Sequence, residues 1–317
     1  MMRRDFIKTA FAGGAGLAFL SCLRGRRRTD LPRRELGKSG ERLSIVGFGG
    51  VLVMNEEPAA ADRMVAEAVD LGVNYFDVAP SYGNAQERLG PALEPFRKDC
   101  FLACKTTERS REGSRKDLEE SLRLMRTDHF NLYQLHAMTT DEDVDRAFGP
   151  GGAMETLVRA REEGLVRYLG FSAHSESAAL DCINRFDFDS VLFPVNCVCW
   201  KNGNFGPAVV AAATAKGMGI LALKSLALGP VPDGEAKPHP KCWYRPIEDD
   251  VLSDQAVRFT LSKGVTALIP PGEPRFFRKT VEIASTFKPQ TEFEEESLFQ
   301  SIGGLTPLFA SVDPRSK

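Results

Sequence analysis

The chain is poor in the residues that build metal and redox centres. It has four histidines in 317 residues and no HxH pair, too few ligands for a metal-dependent hydrolase. Its seven cysteines, at 22, 100, 104, 182, 197, 199 and 242, form no CxxC pair and no legible disulfide framework. Packed or free thiols are the simplest reading; Cys197 and Cys199, two apart, would share one face of a strand. A net charge of −2 gives no electrostatic case for nucleic acid or for an acidic membrane surface. No GxGxxG turn follows an early strand, since "GFGG" lacks that spacing, which counts against an open doubly wound sheet. What is present, 43% hydrophobic and 26% charged residues, suits a large globular domain with an ample core.

The first residues differ from the rest. "MMRRDFIKTAFAGGAGLAFLSCLRGRRR" has a basic start and an apolar run from Thr9 to Leu20, too short for a comfortable membrane span. The layout resembles a secretory signal, and Arg3-Arg4-Asp5-Phe6-Ile7-Lys8 looks like a twin-arginine motif, which directs export of folded proteins. Residues 1–30 are therefore expected to be a signal or anchor segment engaging export machinery, with the protein periplasmic or envelope-associated. A basic N-terminal helix of a cytoplasmic protein is the alternative.

Residues 31–317 read as one domain. "RRELGKSGERLSIVGFGG" opens with the Gly and Ser-Gly breaks of a β-hairpin. Strand-like runs follow: "NYFDVA", "CFLACKT", "FNLYQLH", "VRYLGFSAH", "SVLFPVN", "GILALKSL" and "VTALIPP", with helix-compatible segments between them. "SRKDLEESL" opens on Ser114 as an expected helix cap. The strands are continuous apolar runs, as in a parallel sheet buried on both faces. With "LSIVGFGG" they make eight, and residues at their carboxyl ends fall at 77, 105, 136, 172, 196, 224 and 270. That rhythm predicts an α/β fold, a (β/α)8 TIM barrel with an N-terminal hairpin and, from "FEEESLFQSIGGL", an added C-terminal helix. One connection is long. Residues 227–250, dense in Pro and Gly, carry Trp243 and Tyr244, which suggest an apolar mouth, and a loop of that length usually has a function.

In such a barrel the loops at the carboxyl ends of the strands build the active site. Three consecutive strands end at Asp77, Lys105 and His136, with Tyr82 in the loop behind the first. A carboxylate at the end of an apolar strand needs a partner, and Lys105 can supply it. The ammonium is then expected to pull the Tyr82 pKa below its usual value of about 10, giving a general acid usable near neutral pH. His136 can donate to a substrate oxygen. The set suits protonation of a carbonyl oxygen while another group attacks the carbon.

"GVNYFDVAPSYG", "FLACKT" and "NLYQLH" resemble, in order and spacing, the tetrad motifs of the aldo-keto reductases, and the resemblance covers residues 34–285. It implies a barrel that binds a nicotinamide cofactor, usually NADPH with NADH possible, without a Rossmann domain, and that reduces a small aldehyde or ketone. It makes Tyr82 the proton donor, Asp77 and Lys105 its tuning pair, and His136 the orienting donor. It also implies cofactor contacts at Gly50, Asp77, Ser172, Asn196, Lys224 and Gly272, although Ala173, Leu192 and Leu223 replace an Asn, a Gln and a Tyr common in the family. In "IPPGEPRFFRK", Pro274 suits the first turn of a helix, and Arg275, Arg278 and Lys279 crowd its start, where the dipole disfavours cations. A docked cofactor phosphate would reverse that cost; solvated surface charge is the alternative. Two other functions stay open: a Schiff-base lyase using Lys105, which would need that amine uncharged, and a non-catalytic nicotinamide-binding barrel.

Overall fold

Gly37 and Gly40 adopt positive φ angles of 53° and 77°, turning the chain between strands β1 (Arg33–Glu35) and β2 (Arg42–Ser44). A side chain at Gly37 would lie 2.5 Å from the Gly217 carbonyl, so this turn also needs glycine for close packing. The computed structural model describes residues 31–311. The twin-arginine-like segment lies outside them.

After the hairpin come β3 (Phe48–Gly49), helix α1 (Pro58–Asp70), β4 (Tyr75–Asp77), α2 (Ala85–Leu93), β5 (Phe101–Thr106), α3 (Arg111–Leu124) and β6 (Phe130–Met138). Two helices, α4 (Asp141–Phe148) and α5 (Ala153–Glu162), lead to β7 (Val166–Ala173), followed by α6 (Glu176–Arg185) and β8 (Ser190–Pro194). The last third holds α7 (Cys197–Asn202), α8 (Pro207–Lys216), β9 (Gly219–Leu223), β10 (Ala227–Pro230), β11 (Tyr244–Pro246), α9 (Asp250–Ser262), β12 (Ala267–Ile269), α10 (Pro274–Ser285) and α11 (Glu292–Ser301).

Eight parallel strands pair in the order β12, β9, β8, β7, β6, β5, β4, β3. The Val46–Leu268 bridge, with Gly47 N–H donating to Leu268 O and Leu268 N–H to Ile45 O, joins the ends of that order. The result is the (β/α)8 barrel expected from the strand rhythm, with its hairpin and its added helix α11. Strand residues alternate between two cores. Inside lie Tyr75, Phe101, Ala103, Leu132, Leu192, Leu221 and Ala267, closed off by Leu36 and Leu43 of the hairpin region. The opposite strand faces pack against the helices in a larger shell. Each fully buried large apolar side chain contributes about 1.5–3 kcal/mol, which ties the hairpin to the barrel.

Three local expectations change. Helix α3 starts three residues before Ser114, because Ser110 is the cap and accepts from Gly113 N–H, while Ser114 sits inside the helix and donates to Arg111 O. Cys197 and Cys199 open helix α7 rather than lying on a strand, because Asn196 accepts from Cys199 N–H and caps it. The long segment after β9 is no open loop: β10 and β11 pair as an antiparallel ribbon. All six cysteines of the described residues are free and buried.

Candidate active site

The inward positions of the three neighbouring strands run upward in layers, Tyr75 to Asp77, Phe101 through Ala103 to Lys105, and Leu132 through Gln134 to His136. Below the last residues, which are the candidate chemistry, the layers are apolar apart from Gln134 and the Tyr75 hydroxyl. Asp77 and Lys105 are 2% and 0% exposed, and the Lys105 ammonium donates to Asp77 Oδ1. It also donates to the Val78 carbonyl at 3.3 Å. The other carboxylate oxygen, Oδ2, accepts from Tyr75 O–H at 3.3 Å and from Gln134 Nε2 at 3.2 Å. A buried ion pair holds only when further hydrogen bonds satisfy its free lone pairs; Tyr75 and Gln134 do this here. Burial, with Asp77 beside it, keeps the Tyr75 hydroxyl well above the usual tyrosine range, so it remains a donor.

Burial works against the charge on Lys105, but the Asp77 carboxylate beside it keeps its pKa above the ordinary lysine value. The ammonium stands 5.1 Å from the centroid of the half-buried Tyr82 ring. Its effect on Tyr82 has the expected sign but does not prevail. Burial raises the Tyr82 pKa, Lys105 lowers it, Asp77 raises it again, and the net shift is upward from 10.0. The phenol is held protonated, with a cation beneath it that favours the anion once the proton leaves.

His136 meets the Tyr82 ring edge-on, with centroids 5.7 Å apart and planes at 85°. Its Nδ1 lies 3.4 Å from Ser81 Oγ. Burial, then Lys105, His174, Arg109 and Lys224, pushes its pKa down to about 2, so it is a neutral imidazole. Ser81 O–H can donate to Nδ1, and the tautomer this favours carries its proton on Nε2, available to a substrate oxygen. Strand β6 bulges here, between Leu135 and Met138, and Ala137 takes a φ of 54°. Arg109 holds the bulge by donating to the carbonyls of His136 and Ala137 at 2.8 and 3.2 Å, while Asp143 accepts from Arg109 Nε at 3.0 Å.

The residues matched to cofactor contacts stand in varied settings. Ser172 Oγ accepts from Ala137 N–H at 2.8 Å, and among the described residues its own O–H has no acceptor. Gly50 opens a short 3-10 turn, Gly50–Val53, where a side chain would lie 2.8 Å from Val78 Cγ2. Asn196 is spent on backbone: its amide donates to Lys224 O and Ala227 O at 2.9 and 2.7 Å, and its oxygen caps α7. A side chain at Gly272 would lie 2.5 Å from Val51 Cγ1, so its space is taken by protein. Lys224 has a φ of 66° and lies against Trp243 and Tyr244, its ammonium 5.1 and 5.3 Å from their ring centroids.

Arg275 and Arg278 are not bare cations. Arg278 forms a two-pronged pair with Glu67 at 2.8 Å, and Arg275 reaches Glu248 and His239 at 2.8 Å. Lys279 pairs with Asp250. The segment 231–243 is tied down by Lys241, whose ammonium donates to Leu52 O and Glu56 Oε1 at 2.7 Å, while its N–H reaches Glu273 at 3.2 Å. The supporting residues Tyr75, Gln134, Arg109, His174 and Lys241 escaped the sequence reading. For Tyr75 and Gln134 a signal existed, since each lies two residues before a chemical residue and so on the same inward face.

A family model described as "Aldo/keto reductase family" matches residues 46–258. An oxidoreductase of Bacillus subtilis, YqkF, is 29% identical over 174 residues, 50% of this chain and 55% of that protein. The matched stretch thus spans about half the length of that relative. The L-galactose dehydrogenase of Arabidopsis thaliana is 27% identical over 63% of this chain and 67% of its own. Among solved structures, one from Pseudomonas aeruginosa titled as an aldo-keto reductase is 26% identical, with a TM-score of 0.66 over 81% of this chain and 96% of that one. The holo form of a Bacillus halodurans aldo-keto reductase shares the fold, with a TM-score of 0.69 at 21% identity over 90% of this chain and all of that one. With the eight-stranded barrel and the family model agreeing over most of its strands, the chain belongs to the aldo/keto reductase family.

Proposed function

We propose that this protein reduces an aldehyde or ketone to an alcohol, with Tyr82 as proton donor and NADPH as the preferred reductant. The observation that carries the reading is the closed Asp77–Lys105 pair beneath a protonated Tyr82, with a neutral His136 at its edge. When bound, the nicotinamide supplies the hydride. The unspent O–H of Ser172 and the Gly50 turn, on opposite parts of the rim, are the groups offered for holding it. Tyr82 O–H and His136 Nε2–H both donate to the carbonyl oxygen and fix its position. As negative charge grows on that oxygen, Tyr82 gives up its proton, and the Lys105 ammonium stabilises the tyrosinate left behind. A general acid so placed contributes about 10²- to 10⁴-fold.

The preference for NADPH rests on Arg275 and Arg278. Their carboxylate partners do not remove it, because the Arg278 and Arg275 side chains are 53% and 54% exposed. Exposed pairs are worth about 0–1 kcal/mol, less than a phosphate gains from an arginine fork. A Schiff-base role for Lys105 is disfavoured, since the Asp77 carboxylate paired with it keeps it charged. We also propose that residues 1–30 direct export to the periplasm or envelope, on the strength of Arg3-Arg4 alone; cell fractionation with an Arg3→Lys/Arg4→Lys variant tests this.

The testing experiment is a titration with NADPH and with NADH, followed by a carbonyl panel using the tighter cofactor. Binding with turnover of at least one carbonyl supports the reading; tight binding with no turnover of any would favour a non-catalytic nicotinamide-binding barrel.

A further inference from the structure

Among the described residues, Lys224 is a cation without an anion. It stands at the carboxyl end of β9, half-buried, and no Asp or Glu acts on it among the described residues. Its backbone is fixed in the left-handed region, φ 66°, by two bonds to its carbonyl, from Asn196 Nδ2 at 2.9 Å and from Ala227 N–H at 2.8 Å. A non-glycine residue held in that region needs surroundings that over-determine it, a pattern concentrated at functional sites. Trp243 and Tyr244 flank the ammonium, and Trp243 meets Phe309, with ring centroids 6.2 Å apart. Phe309 in turn lies 5.4 Å from the ring of His174, whose Nε2 is buried and has no hydrogen-bond partner. The mouth therefore has an aromatic wall, an unpaired ammonium and an orphaned imidazole nitrogen.

We propose that Lys224, set against Trp243 and Tyr244, binds a carboxylate on the substrate, so that the compound reduced at Tyr82 is an oxo acid rather than a neutral carbonyl. This rests on the reductase reading above. An anion there satisfies the Lys224 ammonium, and a charge-assisted hydrogen bond is about twice as strong as a neutral one. Burial has already lowered the Lys224 pKa to about 8, the sign expected of a buried cation without a counter-charge. Its charge is felt at both His136 and His174, which puts it on the side where the carbonyl must sit. The rival source of an anion is a cofactor phosphate. The arginines suited to phosphate, however, stand on α10, paired to Glu67 and Glu248.

The test compares 4-oxobutanoate with butanal in wild type, Lys224→Met and Lys224→Arg, alongside NADPH affinity and calorimetric binding of benzoate to the NADP⁺-loaded protein. In Lys224→Met the ratio of kcat/KM for 4-oxobutanoate over butanal should fall about 10- to 100-fold, matching the loss of one charged hydrogen bond. Benzoate affinity should fall with it, NADPH affinity should change less, and Lys224→Arg should recover part of the ratio. An unchanged ratio, or a loss confined to NADPH affinity, would overturn the proposal, the latter by assigning Lys224 to the cofactor phosphate. Wild type that binds benzoate through Lys224 yet reduces neither aldehyde would keep the anion site and reject the reductase reading. Wild type that binds no benzoate would reject the site itself.

Discussion

The Lys105 ammonium stands 5.1 Å from the centroid of the Tyr82 ring and opposes the burial that raises the Tyr82 pKa. Its position depends on Asp77, which it meets with 0% and 2% of the two side chains exposed. Removing one partner strands a buried charge. Asp77→Asn should cost about 3–5 kcal/mol of stability by denaturant unfolding, and adding Lys105→Met should return part of it. A cost under about 1 kcal/mol, or no recovery in the double variant, would mean the pair is more hydrated than its burial indicates.

His136 gives a pH prediction with a definite sign. In the folded chain burial, helped by Lys105, His174, Arg109 and Lys224, holds it down at about 2, against 6.5 unfolded. As pH falls below about 6.5 the unfolded chain takes up a proton that the folded chain refuses, so stability drops on the acid side. His174, lowered to about 4, acts in the same direction. His136→Gln should therefore lose less thermal stability between pH 7 and 5 than wild type. The same neutrality predicts no step near pH 6.5 in the wild-type kcat profile. Parallel stability curves for the two proteins would contradict the assignment.

Strands and chemical residues were legible for one physical reason. A carboxylate, an ammonium and an imidazole at the ends of apolar runs are costly unless used, so Asp77, Lys105 and His136 declared themselves. Neutral supports do not: Tyr75 reads as a strand former, and Gln134 as an interruption, although period two places both beneath the charges. Pairings across the fold left no trace either. Arg278, on α10, and Glu67, on α1, are separated by 211 positions, and only the closed fold brings them within reach of each other. Sequence alone made the arginines look unpaired, and it gave Tyr82 the sign of the Lys105 effect without the larger effect of burial. The Ser110 cap was missed because Ser114 sits in an equally plausible context, four residues on.

The Glu67–Arg278 pair makes cofactor choice testable. Replacing Arg275 and Arg278 with Ala should weaken NADPH more than NADH, by about 1.5–3 kcal/mol for each charged hydrogen bond lost. Glu67→Gln should instead strengthen NADPH a fewfold, since the displaced pair is worth about 1 kcal/mol or less. Equal effects on both cofactors in a fluorescence titration would show that these arginines do not read the extra phosphate.

Lys241 fastens the segment 231–243 to Leu52 and Glu56, beside the Gly50–Val53 turn. A segment so anchored can act as a lid over bound cofactor. Lys241→Ala should speed cofactor release about tenfold, which corresponds to about 1.4 kcal/mol. Stopped-flow fluorescence reads this directly. Release at the wild-type rate from a folded variant would leave the segment without that role.

The most direct test of the account is Tyr82→Phe, measured as single-turnover reduction of a good carbonyl substrate with cofactor affinity determined in parallel. The phenol oxygen is removed, while Asp77, Lys105 and His136 stay in place. The rate should fall about 10²- to 10⁴-fold with cofactor binding intact. Reduction at near the wild-type rate would contradict Tyr82 as the proton donor.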